Sequence, residues 1–167
     1  MLVRAATALA CLLFLGLFAG CSHGAKKTCA PAGTALAVDV EHRELALCED
    51  GVAASRYRVA IGRRGAGKSR RGDARTPLGA YPLGEVRASS RFGLFLPVGY
   101  PTPDQRAAGF TGDAVGVHGP HRSWRWLGPL NVAADWTAGC IVVASDREMQ
   151  EIARWVARVR PAEIVIR

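Results

Sequence analysis

The sequence predicts a mostly β domain (α+β class) with one amphipathic helix near its C-terminus. Short segments that alternate apolar and polar residues, typical of half-buried strands, recur along the chain. The helix is predicted by a capping box, Ser145 with Glu148, and by the apolar stripe that follows it. Pro161 ends this helix. The 167 residues, 49% hydrophobic and 22% charged, suit one globular domain with a single core.

Each strand is predicted from its own pattern. The predicted strands cover residues 35–41, 43–48, 55–62, 80–86, 114–118, 141–144 and 163–167. Pro97, Pro101 and Pro103 exclude a long helix from the middle of the chain. The segments between are expected to hold one helical turn over 104–108 and a long tryptophan-bearing loop over 120–136.

The first 21 residues are predicted to be an export signal outside the fold. Arg4 precedes an uncharged apolar stretch, 5–19, that is short for a transmembrane helix. Leu17-Phe18-Ala19-Gly20-Cys21 resembles a bacterial lipobox, in which Cys21 is acylated and becomes the N-terminus. An ordinary signal peptide or an uncleaved anchor is the alternative. The predicted organisation is a lipoprotein signal peptide over 1–21, a linker over 22–33 and a domain over 34–167.

The remaining cysteines fit an exported protein. Export to an oxidising compartment favours pairing of thiols. Cys29 precedes the first predicted strand and Cys48 ends the second, so a disulfide between them would pin the N-terminal hairpin. Cys140 is then left as an unpaired thiol, which calls for a chemical role.

The chain is basic, but its pattern argues against nucleic acid as a partner. Lys and Arg number 22 against 14 Asp and Glu, a net charge of +8. Loss of Arg4 with the signal would leave +7. Aromatic residues are only 7%, and no basic run is interleaved with them.

Cys140 and His118 are the candidate nucleophile and base. A thiol becomes an acyl-transfer nucleophile when an imidazole accepts its proton and backbone N–H groups stabilise the oxyanion. Gly139 permits a tight turn and close approach of a substrate to the thiol. The alternatives are a buried, inert thiol and a histidine satisfied in the core. Papain-like proteases and transglutaminases fit poorly, because their nucleophile precedes their histidine.

The residues around Cys140 resemble a known catalytic motif. His118-Gly119, followed after a loop by Asp135-Trp136-Thr137-Ala138-Gly139-Cys140-Ile141, resembles the motif of bacterial L,D-transpeptidases (YkuD-like domains), in the subgroup with Asp-Trp-Thr-x-Gly-Cys-Ile. Other stretches match in the same order: Glu49-Asp50-Gly51, Gly72-Asp73, 75–81, and Tyr100-Pro101 with Asp104. The resemblance runs from about residue 35 to at least residue 143.

The resemblance implies a β-sandwich or barrel fold and specific roles for the motif residues. Cys140 would be the nucleophile and His118 the proton acceptor. The N–H groups of Gly139 and Cys140 would form the oxyanion hole, with Thr137 in the same oxyanion and substrate site. Gly119 would shape the floor beside His118. No metal or organic cofactor is expected.

The implied substrates are peptidoglycan stem peptides in the periplasm. The thiolate would attack the bond between diaminopimelate and a terminal D-alanine. The amine of a second stem would then resolve the acyl-enzyme to a 3→3 cross-link, or the reaction would attach a protein to the cell wall. The protein is expected to be a monomer, anchored to a membrane through Cys21.

Two departures from the family pattern leave alternatives open. Ala138 stands where many members have a histidine, and Val142 where many have an arginine. If that arginine holds an anionic stem, its task falls elsewhere. One alternative is an L,D-carboxypeptidase or amidase that hydrolyses stem or peptidoglycan–lipoprotein bonds. The other is a peptidoglycan-binding lipoprotein without catalytic activity.

Two further groups of residues have two interpretations each. A basic loop either attracts stem carboxylates or anionic lipid, or is simply solvated; its members are Arg63, Arg64, Lys68, Arg70, Arg71 and Arg75. Trp124, Trp126 and Trp136 either wall a substrate groove or belong to the core.

Overall fold

Nine strands in the described part of the chain form one curled, mixed sheet. The computed structural model describes residues 28–29 and 33–167, so Cys21, the predicted signal peptide and most of the predicted linker lie outside it. The strands are β1 (Ala35–Asp39), β2 (Glu44–Glu49), β3 (Val52–Ala60), β4 (Gly79–Pro82), β5 (Arg87–Ser89), β6 (Gly93–Pro97), β7 (Gly116–His118), β8 (Ile141–Val143) and β9 (Glu163–Ile166). The helices are α1 (Pro103–Ala107), a 3₁₀ helix (Arg122–Val132) and α2 (Asp146–Val159).

The strand order is β4-β9-β1-β2-β3-β8-β7-β6-β5. The first three strands form an antiparallel meander, while β9 runs parallel to β1 and β8 runs parallel to β7. The sheet curls until the chain just after β4 meets the chain just after β6, where Leu83 bridges Val98. The Gly84 N–H donates to Pro97 O at 2.9 Å, and the Gly99 N–H donates to Pro82 O at 2.9 Å. The predicted mostly β fold is therefore confirmed, as a curled half-barrel.

One main core cluster is formed by apolar side chains from several strands of the sheet, β1 and β2 among them, and from α2. Leu36, Val38 and Leu45 are fully buried, and they alternate with alanine or polar residues along the chain. Met149 and Ile152 project from α2 into the same cluster. Each such side chain contributes about 1.5–3 kcal/mol by leaving water, which fixes α2 against β6 and β8.

The start of α2 follows the predicted capping pattern with one change. Ser145 Oγ accepts a hydrogen bond from the Glu148 N–H at 3.2 Å. The Glu148 carboxylate reaches one residue further back than a capping box requires, and accepts from the Ala144 N–H at 2.7 Å. Both bonds satisfy amides near the helix start, and Arg160 in the left-handed region ends the helix before Pro161.

Two regions of the chain differ from the sequence expectation. The hairpin β5–β6 was not predicted, because β5 has only three residues and carries no apolar alternation. The segment expected as a loop over 120–136 instead holds the 3₁₀ helix, which is kinked at Gly128. The expected helical turn is present as α1, capped by Thr102. No helix of the described residues is both long and apolar enough to cross a membrane.

A disulfide joins Cys29 to Cys48 in β2, with the Cα atoms 6.0 Å apart. The Cys29 N–H also donates to Gly51 O at 2.8 Å. These contacts tie the segment before β1 to the first hairpin. Cys140 is the free cysteine of the described residues.

Candidate active site

Cys140 and His118 lie on neighbouring parallel strands. His118 ends β7 and Cys140 directly precedes β8, and the register pairs His118 with Val142. Continued by two residues, this register sets Cys140 beside Gly116. Residues 116 and 118 share a face of β7, so the thiol and the imidazole point to the same side of the sheet. Both line one cleft of about 820 Å³.

Gly116 leaves room on β7 for the ring of Phe95, on the face of the sheet that carries Cys140 and His118. A Cβ at this position would lie 2.3 Å from the ring of Phe95 and 2.6 Å from Leu96 O, distances that no side chain tolerates. A glycine is therefore required between the nucleophile strand and β6. Its backbone also acts to lower the pKa of the Cys140 thiol.

His118 is held as a neutral imidazole. Its Nδ1 donates to Gly119 O at 2.7 Å, since a carbonyl only accepts, and this leaves Nε2 free of its proton. The ring of Phe92 stacks on it, with centroids 3.7 Å apart and planes 20° from parallel. Burial lowers the pKa of His118 to about 4, although the Gly119 carbonyl opposes this shift. His118 can therefore accept a proton at neutral pH.

Cys140 is held as a neutral thiol. Burial raises the pKa of Cys140, while the hydrogen bond from the Gly116 backbone and the positive charge of Lys68 act in the other direction. The thiol donates a hydrogen bond to Ala114 O, with Sγ and the carbonyl oxygen 3.5 Å apart. Deprotonation of Cys140 at neutral pH thus needs a base close by.

The segment that leads to Cys140 is fixed to the sheet through Asp135. Arg43 donates to both oxygens of this carboxylate, at 2.6 to 3.0 Å. The Ile61 N–H donates to the same carboxylate at 3.0 Å. Together these bonds join the residue before β2 and the residue after β3 to the catalytic segment. The position of Cys140 therefore depends on a contact 92 residues apart in sequence.

Thr137 and Thr76 shape the turn at Cys140. The Thr137 hydroxyl donates to Cys140 O at 2.7 Å and accepts from the Gly139 N–H at 3.0 Å. Thr76, which is fully buried, donates to Gly139 O at 3.1 Å. Gly139 itself has φ +134°, and a Cβ there would lie 2.6 Å from Arg75 O. The turn is therefore over-determined by hydrogen bonds and by contact.

These contacts correct two expected roles. The Gly139 N–H was expected to face an oxyanion, but the Thr137 hydroxyl already uses it. Gly139 therefore serves conformation rather than charge stabilisation, and Thr137 holds the turn. The Cys140 N–H remains the candidate oxyanion donor of the expected pair. Gly119, expected to shape the floor, also orients His118 through its carbonyl.

The basic loop over 63–75 has buried and exposed parts. Lys68 is buried and donates to Asp73 at 2.8 Å and to Arg70 O at 3.1 Å. Burial alone would raise the pKa of Asp73, but hydrogen bonds from the Arg70 N–H, the Lys68 ammonium and neighbouring amides hold it well below its usual range. Arg71 pairs with Asp113 at the surface. Only Arg63 of this loop lines the cleft.

Two of the three tryptophans wall the cleft, and the third belongs neither to the cleft nor to the core. Trp124 and Trp136 line the cleft and meet edge to face, with centroids 5.0 Å apart. Trp136 also lies 6.4 Å from the His118 ring. Trp126 is 81% exposed and is not among the lining residues.

Several residues of the site were missed at the sequence level. Phe92 comes from the hairpin that was not predicted, and no local pattern marks it. Arg43 looked like an ordinary strand residue, because its partner is distant in sequence. Asp73 and Thr76 lay within stretches that matched the family in order, and those matches were the available signal.

A thiol and a neutral imidazole that face one cleft on a β half-barrel define a class of candidate acyl-transfer catalysts. The L,D-transpeptidase catalytic domain (YkuD) matches residues 33–164, which is most of the chain. The chain therefore belongs to the L,D-transpeptidase catalytic domain family. The Asp-Trp-Thr-x-Gly-Cys-Ile subgroup stays a prediction.

Solved structures with a similar fold come from several bacteria. The helical cell shape determining protein Pgp2 from Campylobacter jejuni superposes with a TM-score of 0.60 at 19% identity, covering 78% of this chain and 45% of that one. Bd1075 from Bdellovibrio bacteriovorus gives 0.56 at 23% identity, covering 80% and 47%. The catalytic domain of the Enterococcus faecium L,D-transpeptidase gives 0.53 at 15% identity, covering 81% and 98%.

At these identities the likeness concerns the fold alone. This chain spans about half the length of the first two structures and nearly all of the isolated catalytic domain. A search of curated proteins gave no match.

Proposed function

We propose that this protein is a cysteine-dependent peptidoglycan L,D-transpeptidase. The observation that carries the proposal is the placement of Cys140 and His118 on one face of adjacent parallel strands, in one cleft, with Nε2 of His118 free to accept. The family match over residues 33–164 supports stem peptides as the substrate.

In the proposed acylation, His118 Nε2 takes the Cys140 proton as sulfur attacks the carbonyl carbon at the L,D bond. The resulting oxyanion faces the Cys140 N–H. Nε2 then returns the proton to the leaving amine, the C–N bond breaks and the terminal D-amino acid departs. A thioester remains on Cys140. A base with a pKa near 4 accepts this proton only transiently, which suits a step in which it is donated onward at once.

In the proposed deacylation, an amine of a second stem attacks the thioester. It loses its proton to His118 Nε2, and the C–S bond breaks to give a 3→3 cross-link. Nε2 then passes the proton to the departing sulfur, which restores the thiol and the neutral imidazole. Attack by water at the same point would give a carboxypeptidase or amidase instead. Both outcomes use the same acyl-enzyme, so the product identifies the acceptor.

We also propose that the protein is exported to the cell envelope and anchored as a lipoprotein monomer through Cys21. The lipobox-like end of the predicted signal supports the anchor. Intact mass of protein extracted from the envelope tests it. A diacylglyceryl adduct on Cys21 is expected, and an unmodified Cys21 would contradict the anchor without affecting the enzymatic proposal.

The enzymatic proposal is tested with the full chain in detergent and a disaccharide-tetrapeptide. Mass spectrometry follows loss of D-alanine and formation of a dimer, with Cys140→Ala as the matched control. A 3→3 dimer that is absent from the control supports transfer. Free tripeptide alone identifies a hydrolase. An unchanged substrate with both proteins would refute the proposal and favour a binding role.

A further inference from the structure

Three arginines line the cleft without a carboxylate partner. Arg63, Arg87 and Arg91 border the space that holds Cys140 and His118, and no Asp or Glu of the described residues lines it. None of the three takes part in an ion pair found within residues 28–29 and 33–167. Guanidinium groups in an open cleft recognise anionic ligands, above all planar carboxylates.

The sheet register places Arg87 in line with His118. Arg87 pairs with Phe95 across β5 and β6, and Phe95 pairs with His118 across β6 and β7. Directly paired residues share a face, and two strand spacings set Arg87 and His118 about 10 Å apart at Cα. The Arg87 guanidinium lies over the Phe95 ring at 5.3 Å, and that ring stands 6.0 Å from the His118 ring, nearly parallel. The Arg87 side chain therefore extends over Phe95 in the direction of His118.

The proposed reaction defines which part of a substrate lies on the His118 side of Cys140. His118 must return its proton to the leaving amine, so the leaving residue lies on the His118 side of Cys140. In an α-amino acid the carboxyl carbon is only about 2.5 Å from the amine nitrogen, across one Cα. The carboxylate of a terminal leaving residue therefore lies within a few ångström of the base. Arg63 is attached elsewhere, since its N–H donates to Thr137 O in the segment before Cys140.

We propose that Arg87, assisted by Arg91 from the adjoining turn, binds the α-carboxylate of the amino acid that is released. This inference rests on the proposed function, because it names the group that the cleft recognises in the donor stem. It makes the enzyme selective for stems that end one residue beyond the scissile bond. Many relatives have an arginine at the position of Val142. In this protein Arg87 would supply the carboxylate-binding arginine instead.

The test compares two donors that differ in one group. Stem tetrapeptides with a free C-terminal carboxylate and with a C-terminal carboxamide are given to the full chain, and kcat/KM for release of the terminal residue is measured. The wild-type protein is expected to prefer the carboxylate about tenfold to a hundredfold, the range of a charge-assisted hydrogen bond. Arg87→Gln is expected to lower only the carboxylate reaction and so to abolish the preference.

Two arginine controls separate recognition from general charge. Arg63→Gln removes a cleft arginine on the other side, and Arg154→Gln removes an exposed arginine of α2 that lies outside the cleft. Both are expected to keep the wild-type preference. Equal wild-type rates for the two donors, or equal losses on both in Arg87→Gln, would overturn the inference while leaving the proposed function intact. If neither donor is turned over, both this inference and the proposed function are overturned.

Discussion

Acidification is expected to destabilise the fold through His118. This side chain is 2% exposed and its Nδ1 is bound to Gly119 O. Burial lowers its pKa to about 4, from the 6.5 of a solvated histidine. Between these values the unfolded chain binds a proton that the folded chain does not. The contribution of His118 to the free energy of unfolding is therefore fully present above pH 6.5 and is lost as the pH falls towards 4.

The magnitude follows from the gap between the two pKa values. One pKa unit corresponds to about 1.4 kcal/mol, so the full gap corresponds to roughly 3 kcal/mol. At pH 4.5, where the folded protein is still mostly unprotonated at His118, about 2.5 kcal/mol is expected to be lost. This is a large part of the 5–15 kcal/mol by which a domain of ordinary stability is folded.

Urea unfolding at pH 7.5 and pH 4.5 measures this loss, in the wild-type protein and in His118→Asn. The asparagine amide nitrogen matches Nδ1, which bonds to Gly119 O, but it does not titrate in this range. The contributions of carboxylates common to both proteins therefore cancel. The wild-type protein is expected to lose about 2–3 kcal/mol more than the variant. An equal loss in both, or an NMR titration midpoint of His118 near 6.5, would refute the argument.

Three other predictions concern the segment around the nucleophile. Asp135→Ala is expected to cost about 2–3 kcal/mol in urea unfolding, because Arg43 loses a half-buried partner. Gly139→Ala is expected to lower turnover by about a hundredfold or more, because the new methyl would displace the catalytic turn from Arg75 O. Alkylation of Cys140 by iodoacetamide in the resting protein is expected to be slower at pH 7 than that of free cysteine, because burial raises the pKa of the thiol.

Matched controls accompany these measurements. Asp113→Ala removes an exposed partner of Arg71 and is expected to cost less than about 1 kcal/mol; an equal cost for Asp135→Ala would show that the Asp135 pair is not structural. Gly109→Ala has a positive φ but open space around it, and it is expected to retain turnover. Fast alkylation of Cys140 that is constant from pH 5 to 8 would instead indicate a resting thiolate–imidazolium pair.

Local pattern predicted the elements that bury one face and missed those that do not. Leu36, Val38 and Leu45 alternate with small or polar neighbours, so β1 and β2 were evident. The stripe of α2 was evident because its apolar residues recur at helical spacing. Trp155 was not included in that stripe, although it is buried and donates to Glu49 at 2.6 Å. Its polar partner comes from β2, which the helix pattern does not register.

The sequence likewise predicted one part of the candidate active site and missed another. The sequence motif pointed to Cys140 and His118, and the structure brings both to one cleft. The motif also suggested the Gly139 N–H as an oxyanion donor, and a hydrogen bond to Thr137 two residues away removes it from that role. Residue types at a given spacing do not specify which of several nearby acceptors an amide will choose.

The sequence by itself determined the fold class, the positions of most strands along the chain and the identity of the candidate nucleophile and base, because alternation, capping and motif spacing are local properties. Only the tertiary structure decided the protonation of these two residues and the surroundings of the cleft. The pKa values of His118 and Cys140 depend on burial by residues far along the chain. The row of Arg87, Phe95 and His118 exists only because strand pairing aligns three segments that have no relation in sequence.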